Sequence, residues 1–333
     1  MVGCMIRIFR KIFFSLLYIS GIGHLMKYIN SKRKLVPILL FHRVSDSPDP
    51  YWSPLSTNNF KKVINFFSAR YKIRPLQDLF KYSPAELSAS CFIVFDDAFK
   101  DFQQNALPFL REKNIPVTMF LPVESIQTGK PIWTTWLNMC IDQTGIRTIK
   151  INSTGEVYDI SSKLAKVRTA KLLTDWLKSL DFTKFKMELK EIIKQIGENP
   201  NRPDIGVMDW NEILETAAIV DYQSHTMSHP MLGNIVEKEE LDYEMGDSKK
   251  SIENELNKTV QYISYPIGSY SEAVLQKSGE YYDAGFAVDG RLVDLKIINH
   301  PGYKYRIPRF NVSDPDPYEL FFRINGFHKM MGR

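Results

Sequence analysis

Short apolar runs alternate with amphipathic stretches along most of the chain. Residues 36–41 (VPILLF), 91–95 (CFIVF) and 116–121 (PVTMFL) lack the polar alternation of a half-solvated strand. Such runs read as strands buried on both faces. Between the first two, residues 57–69 place Phe60, Val63, Ile64 and Phe67 on one helical face, with Ser56 or Thr57 as N-cap. Residues 102–113 also read as a helix. Further on come a helix over 209–218, a strand over 219–223 and a charged helix over 237–257. A strand over 260–265, a helix over 271–282 and a strand over 284–288 follow. The pattern closes with a strand from Tyr305 to Ile307, then Pro308-Arg309, and a helix after Asp316-Pro317. Strands alternating with helices predict parallel βα units and an α/β fold.

Two stretches break this rhythm. Residues 131–204 are rich in Lys, Leu, Ser and Thr, with helical periodicity over much of 161–196. They predict a helical insertion within the domain rather than an independent one. In residues 1–34, Arg7, Arg10 and Lys11 precede an apolar stretch from Ile12 to Met26, which Ser15, Ser20, Gly21, Gly23 and His24 interrupt. The stretch is shorter than the ~20 apolar residues of a spanning helix, and no A-x-A-like cleavage site follows. With Lys32-Arg33-Lys34 just beyond, it predicts an amphipathic helix that either lies on an anionic membrane surface or packs on the domain. The organisation is therefore a segment 1–34 followed by one domain over 35–333.

Composition narrows the classes. The 333 residues are 44% hydrophobic and 24% charged, ordinary values for a globular protein, and they exclude wholesale disorder, a collagen-like fibre and a multi-span membrane protein. The net charge of +5 comes without the concentrated basic stripe of nucleic-acid binders, so no nucleic-acid partner is expected. The 3 cysteines show no C-x-x-C spacing and fit a reducing compartment.

The chemistry sits at two strand ends. Asp96-Asp97 close one apolar run, and His225 and His229 follow another. Adjacent buried carboxylates repel each other and are desolvated, a combination that a divalent cation relieves. Two histidines four apart on one side of a helical turn both reach one ion. One Asp with two His leaves coordination positions open, the layout of a catalytic metal. In an α/β barrel such strand ends form the active-site face.

FDDAFKD (95–101), SHTMSHPML (224–232) and ISYPIGSYS (263–271) together resemble the ordered FDDGY-x-D, H-[ST]-x-x-H and Y-P-x-G motifs of the polysaccharide deacetylase family, carbohydrate esterases of family four. LLFHRV (39–44) and IPRFNV (307–312) resemble flanking motifs of its exopolysaccharide and poly-N-acetylglucosamine branch. The resemblance runs over roughly residues 36–315 apart from the insertion. It implies a distorted (β/α) barrel that removes acetyl from an N-acetylated amino sugar of an envelope or exported glycan, or of its lipid-linked precursor. It implies that Asp97, His225 and His229 hold a divalent metal; Zn suits such a set, and Co, Ni and Fe are accepted too. Asp96 is then the general base that activates water, and the cation polarises the acetamide carbonyl. His42 is the implied general acid and His300 the alternative. Tyr265 and Pro266 are expected to shape the pocket floor and Trp133 to line the sugar site, while Trp136 reads as core. Asp101 reads as a helix or loop stabiliser rather than a ligand. Arg309 either holds the base carboxylate or anchors the last strand.

Two departures stand out. Ala98 replaces the family's Gly, which disfavours positive φ and predicts an ordinary loop conformation. The third motif lacks the family's Arg, which leaves the orientation of Asp96 to Arg309. Three other readings remain: a deacylase or deformylase of a small nucleotide- or lipid-linked sugar, a non-catalytic glycan-binding relic, and a zinc-stabilised interaction module. The expected location is the cytoplasm or the periphery of the cytoplasmic membrane, with export left open.

Overall fold

Seven short strands take up the apolar runs: β1 (Ile38–Phe41), β2 (Ser90–Asp96), β3 (Val117–Leu121), β4 (Val220–Ser224), β5 (Tyr262–Ser264), β6 (Ala284–Val288) and β7 (Ile307–Asn311). The computed structural model describes residues 2–198, 200, 202–313 and 316–327. Every neighbouring pair of these strands is parallel, and β1 pairs with both β2 and β7, so the sheet closes into a (β/α) barrel in chain order. A short strand, Lys72–Ile73, pairs in parallel with the start of β2.

The side-chain period of a strand divides the core in two. Ile38, Leu40, Phe92, Val94, Tyr262, Phe286 and Ile307 fill one cluster along the barrel axis. Leu39, Phe41, Ile93, Phe95 and Ile263 belong to the larger cluster beneath the outer helices. The same alternation aims Asp96, Ser264 and Arg309, and His42 one step past the end of β1, inward, where polar groups survive only when partnered. The β4–β5 junction is the thinnest, with Ser224 and Ile263 as its one register pair. Buried Gln223 patches it: its Oε1 accepts from the amides of Gln261 and Tyr262, each at 2.9 Å.

The outer elements include α1 (Val2–Ile19), α2 (Ile22–Arg33), α3 (Thr57–Ser68, capped by Ser56), α4 (Trp133–Gln143), α5 (Lys163–Ser179), α6 (Phe182–Ile196) and α7 (Pro317–Ile324). Four expectations about the elements are corrected. The stretch between β3 and β4 is not wholly helical, because Thr148–Lys150 and Val157–Asp159 form an antiparallel hairpin between α4 and α5. The single helix expected over 237–257 is interrupted by a π-helical turn, Asp242–Asp247. The last strand runs on through Pro308 to Asn311, with Pro308 in register beside Ala287. The N-terminal segment is two helices rather than one, broken at Gly21, whose φ of 90° favours glycine.

Candidate metal centre and active-site cavity

The floor of the site is an ion pair inside the barrel. Arg309 is fully buried, and its Nη1 and Nη2 donate to the two carboxylate oxygens of Asp96 at 2.7 and 2.9 Å. Ser264 Oγ accepts from Arg309 Nη2 at 2.5 Å and donates to Asp96 at 3.3 Å. This planar fork fixes the carboxylate in one orientation. Burial opposes ionisation of Asp96, but the Arg309 guanidinium outweighs it and holds the carboxyl below its ordinary range. The two roles left open for Arg309 thus resolve geometrically: it grips the carboxylate from within the last strand.

Beside that pair, donor atoms of Asp97, His225 and His229 lie within 4.8 Å of one another, all buried. His225 Nε2 and His229 Nε2 each stand 3.4 Å from Asp97 Oδ1. His225 Nδ1–H donates to the carbonyl of Ser264 at 2.8 Å, which leaves the Nε2 lone pair facing the carboxylate. Burial resists the charge on Asp97, yet the two imidazoles keep its carboxyl well below the usual range.

The local backbone differs from both sequence expectations. Residues 225–229 form an irregular bend, not a helical turn. Thr226 and His229 adopt φ of 70° and 60°, and the His229 amide donates to Thr226 Oγ1 at 3.1 Å. Ala98 does not keep an ordinary conformation: Asp97 and Ala98 have φ of 76° and 53°. Each non-glycine residue held this way costs on the order of 1–3 kcal/mol and needs its surroundings to enforce it. Here the amide of Asp97 donates to Phe120 O at 3.2 Å, and the Ala98 carbonyl accepts from Met208 N at 2.9 Å.

These residues fit a divalent metal. Asp97 Oδ1 is buried with no hydrogen-bond partner among the described residues, although two imidazole nitrogens converge on it. Ligand atoms ~2.0–2.1 Å from a tetrahedral ion stand about 3.3–3.4 Å apart, close to the two separations between Asp97 and the imidazoles.

Above this set lies a cavity of about 340 Å³. His42, Asp96, Asp97, His225 and His229 line it, together with Tyr51 and Trp52 from the loop after β1. That loop is fastened by Arg43, which bonds Asp49 at 2.9 Å and Asp101 at 3.1 Å, while Asp49 Oδ1 accepts the amide of Tyr51. Asp101 is thus a loop stabiliser. The insertion supplies a wall: Thr134, Thr135 and Asn138 from α4, Thr174 and Lys178 from α5. Ile267, at φ 60° and 44% exposed, presents an apolar side chain at the rim.

Four expected pocket residues stand behind these walls. Tyr265 is buried, its hydroxyl donating to Tyr305 O at 2.6 Å and bonded to Ser278, and Pro266 is buried beside it. Trp133 packs on Phe185 and donates from Nε1 to the His229 carbonyl at 3.1 Å, so it braces a metal-set residue rather than the sugar. Arg309 is sealed beneath Asp96. His300 is exposed, caps the short helix Pro301–Lys304 by accepting from Gly302 N, and is no part of the cavity lining. Trp136 is half-buried against the core.

The polysaccharide deacetylase family profile matches residues 186–282, a stretch that holds both histidines and Ser264. Over that stretch the chain resembles the polysaccharide deacetylase family. No curated protein sequence matches it. Among solved structures, the Streptococcus pyogenes deacetylase PplD, in complex with acetate, is 14% identical with a TM-score of 0.55, and the match covers 86% of this chain and 97% of that one. IcaB from Ammonifex degensii is 14% identical at a TM-score of 0.54, with 86% and 97% covered. A de-N-acetylase from Aggregatibacter actinomycetemcomitans is 13% identical at a TM-score of 0.50, with 86% and 99% covered. At such identities the likeness is one of fold.

One residue that holds this site is hidden in the sequence. Glu244, in the π-helical turn, is 1% exposed. Its Oε2 accepts the amides of Met227 and Ser228 at 3.0 and 2.9 Å, and Oε1 accepts the Ser228 hydroxyl, so it ties down the bend between the two histidines. Burial pushes its pKa up to about 7, against the pull of these donors. A folded-state pKa above the unfolded one means that stability is present at low pH and lost as pH rises from about 4.5 to about 7, on the order of 3 kcal/mol in all. Glu244→Gln should abolish this part of the pH slope. Urea unfolding of the metal-free protein at pH 5 and pH 8 checks it, and identical slopes in both proteins would refute the assignment.

Proposed function

We propose that this chain hydrolyses the N-acetyl group of an amino sugar, in an envelope or exported glycan or its lipid-linked precursor, with a divalent metal held by Asp97, His225 and His229. The observation that carries the reading is the union of that three-donor set with an ionised, Arg309-gripped Asp96 and His42 around one cavity. A bound Zn²⁺ or similar cation would polarise the amide carbonyl and stabilise the oxyanion. Asp96, kept ionised and oriented, takes a proton from the attacking water. His42 stands with its ring edge-on to Trp52, centroids 5.3 Å apart. Burial lowers its pKa, partly offset by Asp97 and Asp96, so the protonated ring readily gives its proton to the departing nitrogen. The carbon–nitrogen bond breaks, and acetate and a free amine leave.

At about 340 Å³ the cavity lies at the low end of ligand pockets, which run ~300–1,000 Å³. The wall built by α4 and α5 favours one sugar unit, a chain end or a small lipid- or nucleotide-linked sugar over the middle of a long polymer. Cysteines without C-x-x-C spacing and a basic N-terminal segment support a location in the cytoplasm or at the periphery of the cytoplasmic membrane, with export as the alternative. Zinc-loaded protein incubated with N-acetylglucosamine oligomers and with small N-acetyl and N-formyl sugars should release free amine. Asp96→Asn and His42→Ala should bind metal at wild-type stoichiometry while turnover falls on the order of 10²-fold or more. Full activity in either variant removes that residue from the reaction, and a metal-loaded wild type inactive on every sugar sinks the reading.

A further inference from the structure

Helices α1 and α2 divide their residues between two environments. Their inner side is pinned to the domain. Tyr18 is 7% exposed, with its ring against those of Phe66 and Phe321. Gly23 has no room for a side chain, since a Cβ there would lie 2.5 Å from the Tyr18 ring and 3.3 Å from Phe321. Polar bonds lock the seat: Arg10 pairs with Glu319, Lys27 donates to the Arg70 carbonyl, and Asn30 Nδ2 donates to Asn325 at 2.7 Å.

The outer side is apolar. Phe9, Ile12, Leu16 and Ile19 stand at i, i+3, i+7 and i+10, one helical stripe, and are 50–75% exposed. Leu25 and Tyr28 of α2 add 58% and 59% exposed neighbours. Single exposed apolar residues need no explanation, but a contiguous stripe over two helices marks an interaction surface. Its charge says what covers it. The first acidic residue of the chain is Asp46, whereas Arg7, Arg10, Lys11, Lys27, Lys32, Arg33 and Lys34 all precede it. Lys11, Lys32 and Arg33 are exposed.

We infer that α1 and α2 form a seat for an anionic lipid surface, lying flat with the stripe in the interfacial layer and the exposed cations among the headgroups. An apolar face flanked by Lys and Arg is the pattern of interfacial helices, and each cation near an anionic leaflet adds attraction. A second copy of the chain fits worse, because two such faces would press cations together with no acid between them. A membrane-spanning arrangement also fits worse. No single described helix is long and apolar enough to cross; Phe9–Ile19 and Ile22–Arg33 reach that length and composition only as a pair bent by 65°, and a crossing would tear the inner face from its seat. Neither helix lines the cavity.

Deletion of the segment would strip cover from Phe66 and Phe321, so point variants of the full-length protein are the proper test. Wild type should float with vesicles of equal parts phosphatidylglycerol and phosphatidylcholine, and much less with phosphatidylcholine alone. Lys11→Gln/Lys32→Gln/Arg33→Gln should weaken partitioning about a hundred-fold, taking about five-fold per cation. Leu16→Glu/Leu25→Glu should stay at the bottom of the gradient with an unchanged circular dichroism spectrum and melting temperature. Wild type that fails to float, or a Leu16→Glu/Leu25→Glu protein that floats like wild type, overturns the proposal. So does a wild-type dimer in light scattering that this variant dissolves and that shows no vesicle binding, which would make the face a contact between copies.

Discussion

Arg309→Met should unfold the protein more readily than any other single change at the site, by about 3–5 kcal/mol. The cost comes less from the missing guanidinium than from the carboxylate it leaves behind. Asp96 is 2% exposed, and without Arg309 it would be a buried charge with only Ser264 and nearby imidazoles for company. It would escape by taking up a proton, so activity at neutral pH would fall with stability. A second substitution separates the two effects. In Arg309→Met/Asp96→Asn no charge is stranded, and much of the stability should return while activity does not. Chemical denaturation of the three proteins, with turnover measured alongside, decides the matter. A single variant as stable as wild type would mean that the pair contributes nothing.

His225→Ala should remove both metal and activity. The residue offers one of three donors and is tied through Nδ1 to the carbonyl of Ser264, whose hydroxyl touches Asp96 and Arg309. Loss of a cation that supplies several kcal/mol of charge stabilisation lowers the rate on the order of 10³-fold or more. Metal content after dialysis should drop from near one equivalent to near none, whereas Asp96→Asn should hold its metal. Retained zinc in the His225→Ala protein would show that the other donors suffice.

Much of this is legible in the sequence because the strands are short, apolar and separated by helices, and because the ligand types fall at their C-terminal ends. What the sequence misplaces, it misplaces for identifiable reasons. Motif position puts Tyr265 on the pocket floor, but Tyr262 and Ser264 face the barrel axis, and in a strand the next residue turns away. Trp133 shares a face of α4 with buried Leu137, so its ring goes to the core, and the short polar residues Thr134, Thr135 and Asn138 meet the cavity. Glu244 lies among charged residues that read as a solvated helix, and only the π-helical turn and the bend opposite give it buried partners. Ala98 on its own avoids positive φ; the preference is real, but tertiary hydrogen bonds override it. The wall from α4 and α5 is a tertiary fact with no local signature.

The seam of the barrel has a consequence for biogenesis. Leu39 lies in register with Phe310, so the first strand of the barrel to be synthesised waits some 270 residues for one of its two neighbours. Until then one edge of it is an open template for mispairing. Closure is therefore a late event in the life of the nascent chain, and substitutions that weaken β7 should show themselves first as poor yield of soluble protein.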